Sequence, residues 1–73
     1  MSDRIVLDPK IQHGKPIIRG TRVPVARIIG SLAGGMSFAD IEAEYSVTRD
    51  DIRAALEFAN DLVEKEQFHL LPG

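Results

Sequence analysis

Two short segments of this 73-residue chain carry the same signal for the start of a helix. They are residues 36–41, MSFADI, and residues 47–52, VTRDDI. Each has a hydroxyl residue at the N-cap, an aspartate three residues later, and apolar residues spaced to form a hydrophobic staple. Because a cap of this kind contributes about 1 kcal/mol, the pattern predicts one helix over Phe38–Tyr45 and another from Arg49 to about Gln67. Only three residues would join them.

A third amphipathic segment comes before these two helices. Its apolar residues recur at i, i+3, i+4 and i+7, the spacing of one buried helical face, and are Val25, Ile28, Ile29 and Leu32. Pro24 suits the first turn, where its missing N–H costs nothing, and Gly34-Gly35 supplies a stop. The sequence therefore predicts three helices in the order of a trihelical helix-turn-helix fold, homeodomain-like or winged-helix-like.

The last predicted helix has a wide apolar surface. One stripe along it contains Ile52, Leu56, Ala59 and Val63, and a neighbouring stripe contains Phe58 and Leu62. An apolar tail follows, with Phe68, Leu70 and Leu71. We expect this tail either to close a small core or to be presented to a partner.

Two short β-branched runs predict a β element ahead of the helices. Ile5-Val6-Leu7 and Ile17-Ile18-Arg19 are both bounded by turn-forming residues, and Gly20 offers a left-handed position after the second run. Strands of three residues are not stable alone, so they must pack on the helices or pair with a second protomer. We predict one mainly α domain over residues 1–73, with a β element in 1–22 and the helical bundle in 23–73.

Size and charge limit how the chain is stabilised and what it binds. A domain of this length buries only roughly 60% of its unfolded surface, and the chain has no cysteine, so a homodimer or higher oligomer is expected. The net charge is −2, but residues 1–30 hold six basic and two acidic side chains, whereas residues 31–73 hold three basic and nine acidic. An electropositive surface must therefore come mainly from the first half.

Several functional classes find no support in the sequence. His13 and His69 lie far apart, no nucleophile is paired with a base, and no carboxylate cluster suggests a metal site. Gly14 and Gly20 lack the spacing of a phosphate-binding loop. No apolar run is long enough for a signal peptide or a membrane span. We predict a cytoplasmic, non-enzymatic protein without a cofactor and without membrane contact.

Residues 14–25, GKPIIRGTRVPV, resemble the core motif of a known family, as do residues 32–37, LAGGMS, and 51–56, DIRAAL. The resemblance covers nearly the whole chain and is to domain-of-unknown-function family 433, which is widespread in bacteria and archaea. Its members are commonly described as VapB-type antitoxins of type II toxin-antitoxin pairs. The resemblance implies a lead strand followed by three helices. It also implies a PIN-like ribonuclease toxin as partner and operator DNA as a second target.

Five polar side chains are candidates for DNA contacts: Arg19, Arg22, Thr48, Arg49 and Arg53. Arginine binds phosphate through forked hydrogen bonds and guanine through a bidentate pair. The last three lie at the amino end of the helix that would enter the groove. Asp50 and Asp51 in the same turn oppose phosphate contacts.

A structural role for the arginine-rich segment is the alternative to DNA contact. In that case Gly20 permits a turn, Thr21 helps to cap the first helix, and the arginines bond helix carbonyls or acidic residues such as Glu42 and Glu44.

Five apolar side chains are candidates for contact with a protein partner: Phe58, Leu62, Phe68, Leu70 and Leu71. Ordinary core packing is the alternative for each of them. The rival to an antitoxin-like regulator is therefore a protein-interaction or oligomerisation module that has the helix-turn-helix fold and does not bind DNA.

Overall fold

The computed structural model describes residues 3–65, which form three helices and a small antiparallel sheet. In chain order the elements are β1 (Ile5–Leu7), a single 3-10 turn (Gln12–Gly14), β2 (Pro16–Ile18), α1 (Val25–Ala33), α2 (Phe38–Tyr45) and α3 (Arg49–Lys65). The predicted mainly α, trihelical fold with a short N-terminal β element is confirmed. The second strand lies one residue earlier at each end than the sequence predicted.

The starts of α2 and α3 are fixed by the predicted caps. The Asp40 amide donates to the Ser37 hydroxyl at 3.0 Å. At α3 the bonds are reciprocal, since the Asp51 amide donates to Thr48 Oγ1 at 3.1 Å and the Thr48 amide donates to Asp51 Oδ2 at 2.9 Å. This is a capping box with aspartate in the place of the usual glutamate. The three-residue turn between the helices begins at Ser46, whose backbone is left-handed.

α1 begins and ends differently from the other helices. Its N-cap is Pro24, and no side chain caps it. At its carboxyl end the Gly35 amide donates to the Leu32 carbonyl and the Met36 amide donates to the Ser31 carbonyl, each at 3.0 Å. This pair of bonds is a Schellman motif. It needs a left-handed residue, which Gly35 supplies with φ +99°, so the predicted glycine stop is confirmed.

The two strands pair within the chain. Their register places Ile5 opposite Ile18, Val6 opposite Ile17 and Leu7 opposite Pro16. On its other side β2 is bordered by Val23, whose carbonyl accepts from the Ile18 amide at 2.9 Å. β2 is therefore the middle of this small sheet and β1 is its edge.

Successive side chains of each strand point to opposite faces of the sheet. Ile5 and Ile18 are buried in the main core, with apolar residues of all three helices. Ile17 is 1% exposed and lies outside that core cluster. It lies on the opposite face with Val6, beside Ile11 of the preceding loop. Both faces of the two-stranded sheet are thus covered, one by helices and the other by a loop.

The buried face of α3 includes only part of the apolar stripe identified in the sequence. Leu56 is 39% exposed and Val63 is 57% exposed, whereas Ala54 and Ala55 are buried together with Ile52. Leu56 and Val63, two large apolar residues of that stripe, therefore lie toward solvent. Small residues on the inner face let a helix approach its neighbours closely, so alanines can define the packed side.

Candidate functional site

The turn between β2 and α1 is closed by Thr21. Its hydroxyl donates to the Ile18 carbonyl at 2.7 Å and accepts from the Val23 amide at 3.0 Å. Gly20 occupies the left-handed region with φ +77°, as predicted. Thr21 therefore stabilises the turn itself, and it does not cap α1. The turn holds Arg19 and Arg22 at two different positions.

Arg19 and Arg22 have different environments. The Arg19 Nε–H donates to the Asp3 carbonyl oxygen, which ties the turn to the residues before β1. Arg22 is exposed, and within residues 3–65 its guanidinium makes no hydrogen bond or ion pair. Only its backbone carbonyl is engaged, by the Gln12 side-chain amide at 3.3 Å. The Arg22 side chain is thus available for an anionic partner.

Arg22 lies at the rim of a shallow groove, which we call the Arg22 groove. Its apolar lining comes from Val6, Ile11, Ile17, Val23 and Tyr45, and its polar lining from Asp8, Thr21, Arg22 and Ser46. Tyr45 is held by a 3.0 Å hydrogen bond between its hydroxyl and that of Ser31. Since Ser46 begins the turn between α2 and α3, the groove brings Arg22 next to that turn.

The predicted DNA contacts on α3 are only partly available. The Thr48 hydroxyl is engaged in the helix cap. Arg49 lies 5.0 Å from the centre of the Phe38 ring and 3.6 Å from Glu42 Oε1. Arg53 is exposed and, among the residues that the structure describes, has no ion pair. Of the three α3 side chains, Arg53 is the one that is not already engaged.

Arg4 also belongs to this region, although it was not identified from the sequence. Its Nη1 lies 3.0 Å from Asp51 Oδ1 and its Nη2 lies 3.7 Å from Asp50 Oδ2. Burial by itself would raise the pKa of Asp51, but the Thr48 amide and the Arg4 guanidinium outweigh it and lower that pKa. The first turn of α3 is thereby joined to the start of β1, 47 residues earlier in the chain.

A second groove lies on the opposite side of β1, and we call it the Leu62 groove. It is lined by Leu7, Phe58 and Leu62, with Asp61 and Lys65 beside them. Leu7 is 59% exposed and Leu62 is 52% exposed. The structure thus brings together two of the predicted partner residues, Phe58 and Leu62.

The remaining predicted partner residues, Phe68, Leu70 and Leu71, lie outside the described residues. Leu7 was missed by the sequence reading. The available signal was its position two residues after the buried Ile5, on the same face of β1.

Two other features bear on the classes of function. Within residues 3–65 there is no group of three or more histidine, aspartate or glutamate side chains that could hold a metal ion. Over the same residues, no helix is both long enough and apolar enough to cross a membrane.

Comparison with known proteins supports the resemblance seen in the motifs. Residues 5–59 match the model of the family described as "Protein of unknown function (DUF433)". A protein of Mycobacterium tuberculosis named "Putative antitoxin VapB45" is 40% identical over 53 residues, which are 73% of this chain and 22% of that protein.

A solved structure is similar to this chain in fold as well as in sequence. The crystal structure of Rv2018 from Mycobacterium tuberculosis matches with a TM-score of 0.66 and 40% identity, covering 71% of this chain and 24% of that one. This chain therefore spans about a quarter of the length of the relatives it matches. Because the family model covers most of its length, the chain belongs to the DUF433 family.

Proposed function

We propose that this chain is an antitoxin-like regulator that binds and silences a toxin partner of PIN-like type. The Leu62 groove is the observation that carries the proposal. It exposes large apolar side chains on a helix whose other surface residues are mostly charged. The 40% identity to a protein named as an antitoxin supports the same function.

The Leu62 groove has the composition of the centre of a protein interface. Such centres combine aromatic and aliphatic side chains with a polar rim. Here Phe58 and Leu62 form the apolar floor with Leu7, and Asp61 and Lys65 form the rim. Each Å² of apolar surface that a partner covers contributes roughly 25 cal/mol. A partner that binds in this groove would remove the largest exposed side chains of this surface from water, and their burial would stabilise the complex.

A growth assay tests the proposal. The adjacent open reading frame is induced alone and then together with this chain, and we expect growth arrest that co-expression relieves. Leu62→Ser should lose the relief because Leu62 lines the groove. Val63→Ser is the matched control, since Val63 is similarly exposed and does not line the groove. Arrest that the parent chain fails to relieve, or equal relief by both variants, would contradict the proposal.

Binding of operator DNA is a second candidate function. The guanidinium groups of Arg22 and Arg53, which have no ion pair within residues 3–65, favour it. Phosphate contacts supply most of the affinity in such complexes and release counterions. A cation at the rim of the Arg22 groove, beside the turn between α2 and α3, is suitably placed to contact a phosphate while α3 faces the bases.

A titration of the upstream DNA at several salt concentrations tests this second function. We expect affinity to fall steeply with salt, and Arg22→Ala to reduce the salt slope by about 1. Arg49→Ala is the comparison variant, because Arg49 is already paired with Glu42. Binding that is insensitive to salt would contradict phosphate contact by Arg22. An absence of binding would leave the chain a protein-interaction module that does not bind DNA.

A further inference from the structure

The outer edge of β1 has unpaired backbone groups. The Arg19 amide donates to the Arg4 carbonyl at 2.7 Å. Bonded pairs alternate along an antiparallel ladder, so the next such pair is Val6 with Ile17, and the N–H and C=O groups of Ile5 and Leu7 point away from β2. Pro16 lies opposite Leu7 and has no N–H to give, which agrees with this pattern. Within residues 3–65 these outward groups have no hydrogen-bond partner.

The same edge borders the Leu62 groove. Ile5 and Leu7 lie on one face of β1, and Ile5 is buried against the helices. Leu7 therefore points toward α3, where it lines the groove with Phe58 and Leu62. A row of backbone donors and acceptors thus lies directly beside an apolar cleft.

We propose that an extended segment of the partner chain pairs with β1 as an antiparallel third strand and places an apolar side chain in the Leu62 groove. This inference rests on the proposed function, because the toxin supplies the segment. An extended strand is the structure that satisfies a row of outward backbone groups while its alternate side chains enter a pocket.

The charged side chains at the rim of the Leu62 groove indicate which residues the partner segment carries. Asp61 and Lys65 border the groove, and within the described residues neither has an ion pair. Four helical residues rise about 6 Å, which matches the spacing of about 6.6 Å between alternate residues of a strand. Because α3 runs in the same direction as β1, an antiparallel segment carries, from its amino end and at alternate positions, an acidic residue for Lys65, a basic residue for Asp61 and an apolar residue for the groove.

A second copy of this chain fits the edge poorly. α3 runs along β1, since Asp51 contacts Arg4 before the strand and Leu62 borders Leu7 at its end. Pairing β1 with its own copy would place two such strands about 4.8 Å apart. The two α3 helices would then be nearer than the 8–10 Å that packed helices need. A single strand without a helix above it meets no such obstacle.

A designed peptide tests the site directly. The probe has seven residues, with glutamate, lysine and valine at positions 2, 4 and 6 and threonine elsewhere. Added to the whole protein, it should slow hydrogen exchange at the Ile5 and Leu7 amides and leave Val6, already bonded within the chain, unchanged. Leu62→Ser should weaken binding about tenfold, as expected for truncating a large apolar contact. Val63→Ser should not.

N-methylated peptides supply the matched control. In an antiparallel pair, residues that face α3 also turn their N–H groups toward β1, so methylation at positions 2, 4 and 6 should abolish binding and methylation at positions 3 and 5 should not. Equal behaviour of the two peptides, or no slowed exchange at saturation, would overturn the proposal.

The protein without peptide gives a further decisive result. If its Ile5 and Leu7 amides are already protected, the chain's own residues cover the edge, and if that protection rises with concentration, a second copy does. Either result overturns the proposal. If the peptide binds but the growth assay fails, the toxin is excluded as the partner and the strand-binding site on β1 is still supported. Failure of the proposed function can therefore be distinguished from failure of this inference.

Discussion

The Arg22 groove and the Leu62 groove lie on opposite sides of the same three-residue strand. Val6 lines the first and Leu7 lines the second. The Arg22 groove combines loop residues and the turn before α3 with a guanidinium that has no ion pair among the described residues. The Leu62 groove is an apolar cleft against the carboxyl half of α3. Because side chains alternate across a strand, one short segment borders two surfaces of different chemistry.

The two grooves also differ in what holds their walls. Local bonds of Thr21 shape the turn that carries Arg22. The Leu62 groove depends instead on contacts between residues far apart in sequence, with Arg4 and Asp51 joining β1 to α3. We therefore expect changes to the core or to the start of α3 to affect the Leu62 groove more than the Arg22 groove.

The largest effect is expected from the two buried isoleucines of β2. Ile18→Ala should lower the free energy of unfolding by about 2–5 kcal/mol, because it leaves a cavity in the main core. Ile17→Ala should fall at the low end of that range, since the loop over Ile17 can relax into the space. Urea denaturation measures both. A larger loss for Ile17→Ala would show that the loop face is the more rigid one.

Removal of a helix cap should have a smaller effect. Thr48→Ala should destabilise the fold by about 1–2 kcal/mol and Ser37→Ala by about 1 kcal/mol. The difference is expected because Thr48 positions Asp51 for Arg4, whereas Ser37 caps α2 alone. Thermal or urea unfolding of the two variants decides this. Equal losses would mean that the link between Arg4 and Asp51 adds nothing to the cap.

Acidification should weaken the same link. The pKa of Asp51 is lowered in the folded chain, so its ionised form favours folding. That contribution is complete above the unfolded pKa of about 3.9 and is lost as the pH falls through the lower folded value. The measurement is the free energy of unfolding between pH 6 and pH 2. Asp51→Asn should show a shallower acid loss than the parent, and parallel curves would contradict the role of Asp51.

The smallest effect is expected at the arginines of the turn. Arg22→Ala should change the free energy of unfolding by less than about 0.5 kcal/mol, because the Arg22 side chain is exposed and has no partner between residues 3 and 65. Arg19→Ala should cost about 0.5–1 kcal/mol, because Arg19 donates to the Asp3 carbonyl. Calorimetry of the two variants compares them. A large loss for Arg22→Ala would assign this side chain a structural role.

Some residues of the site were predicted from the sequence and others were not. The difference depends on how far apart in sequence the contacting residues lie. Phe58 and Leu62 were identified from helical spacing, because they belong to one element. Leu7 was missed because its place in the groove depends on how α3 packs against β1. Arg49 was predicted to contact DNA, and its interactions with Glu42 and Phe38 were not predicted because they join two different helices.

The sequence by itself determined the features that neighbouring residues encode. The caps at Ser37 and Thr48 and the stop at Gly35 are hydrogen bonds between residues at most five positions apart. They can therefore be predicted from the order of residues in the sequence. Only the tertiary structure decided which side of α3 is buried, which strand forms the edge, and that Arg4 pairs with Asp51. Those outcomes depend on how whole helices and strands pack. Arg4 and Asp51 are 47 positions apart in the sequence, and no pattern of neighbouring residues specifies that two such distant side chains come into contact.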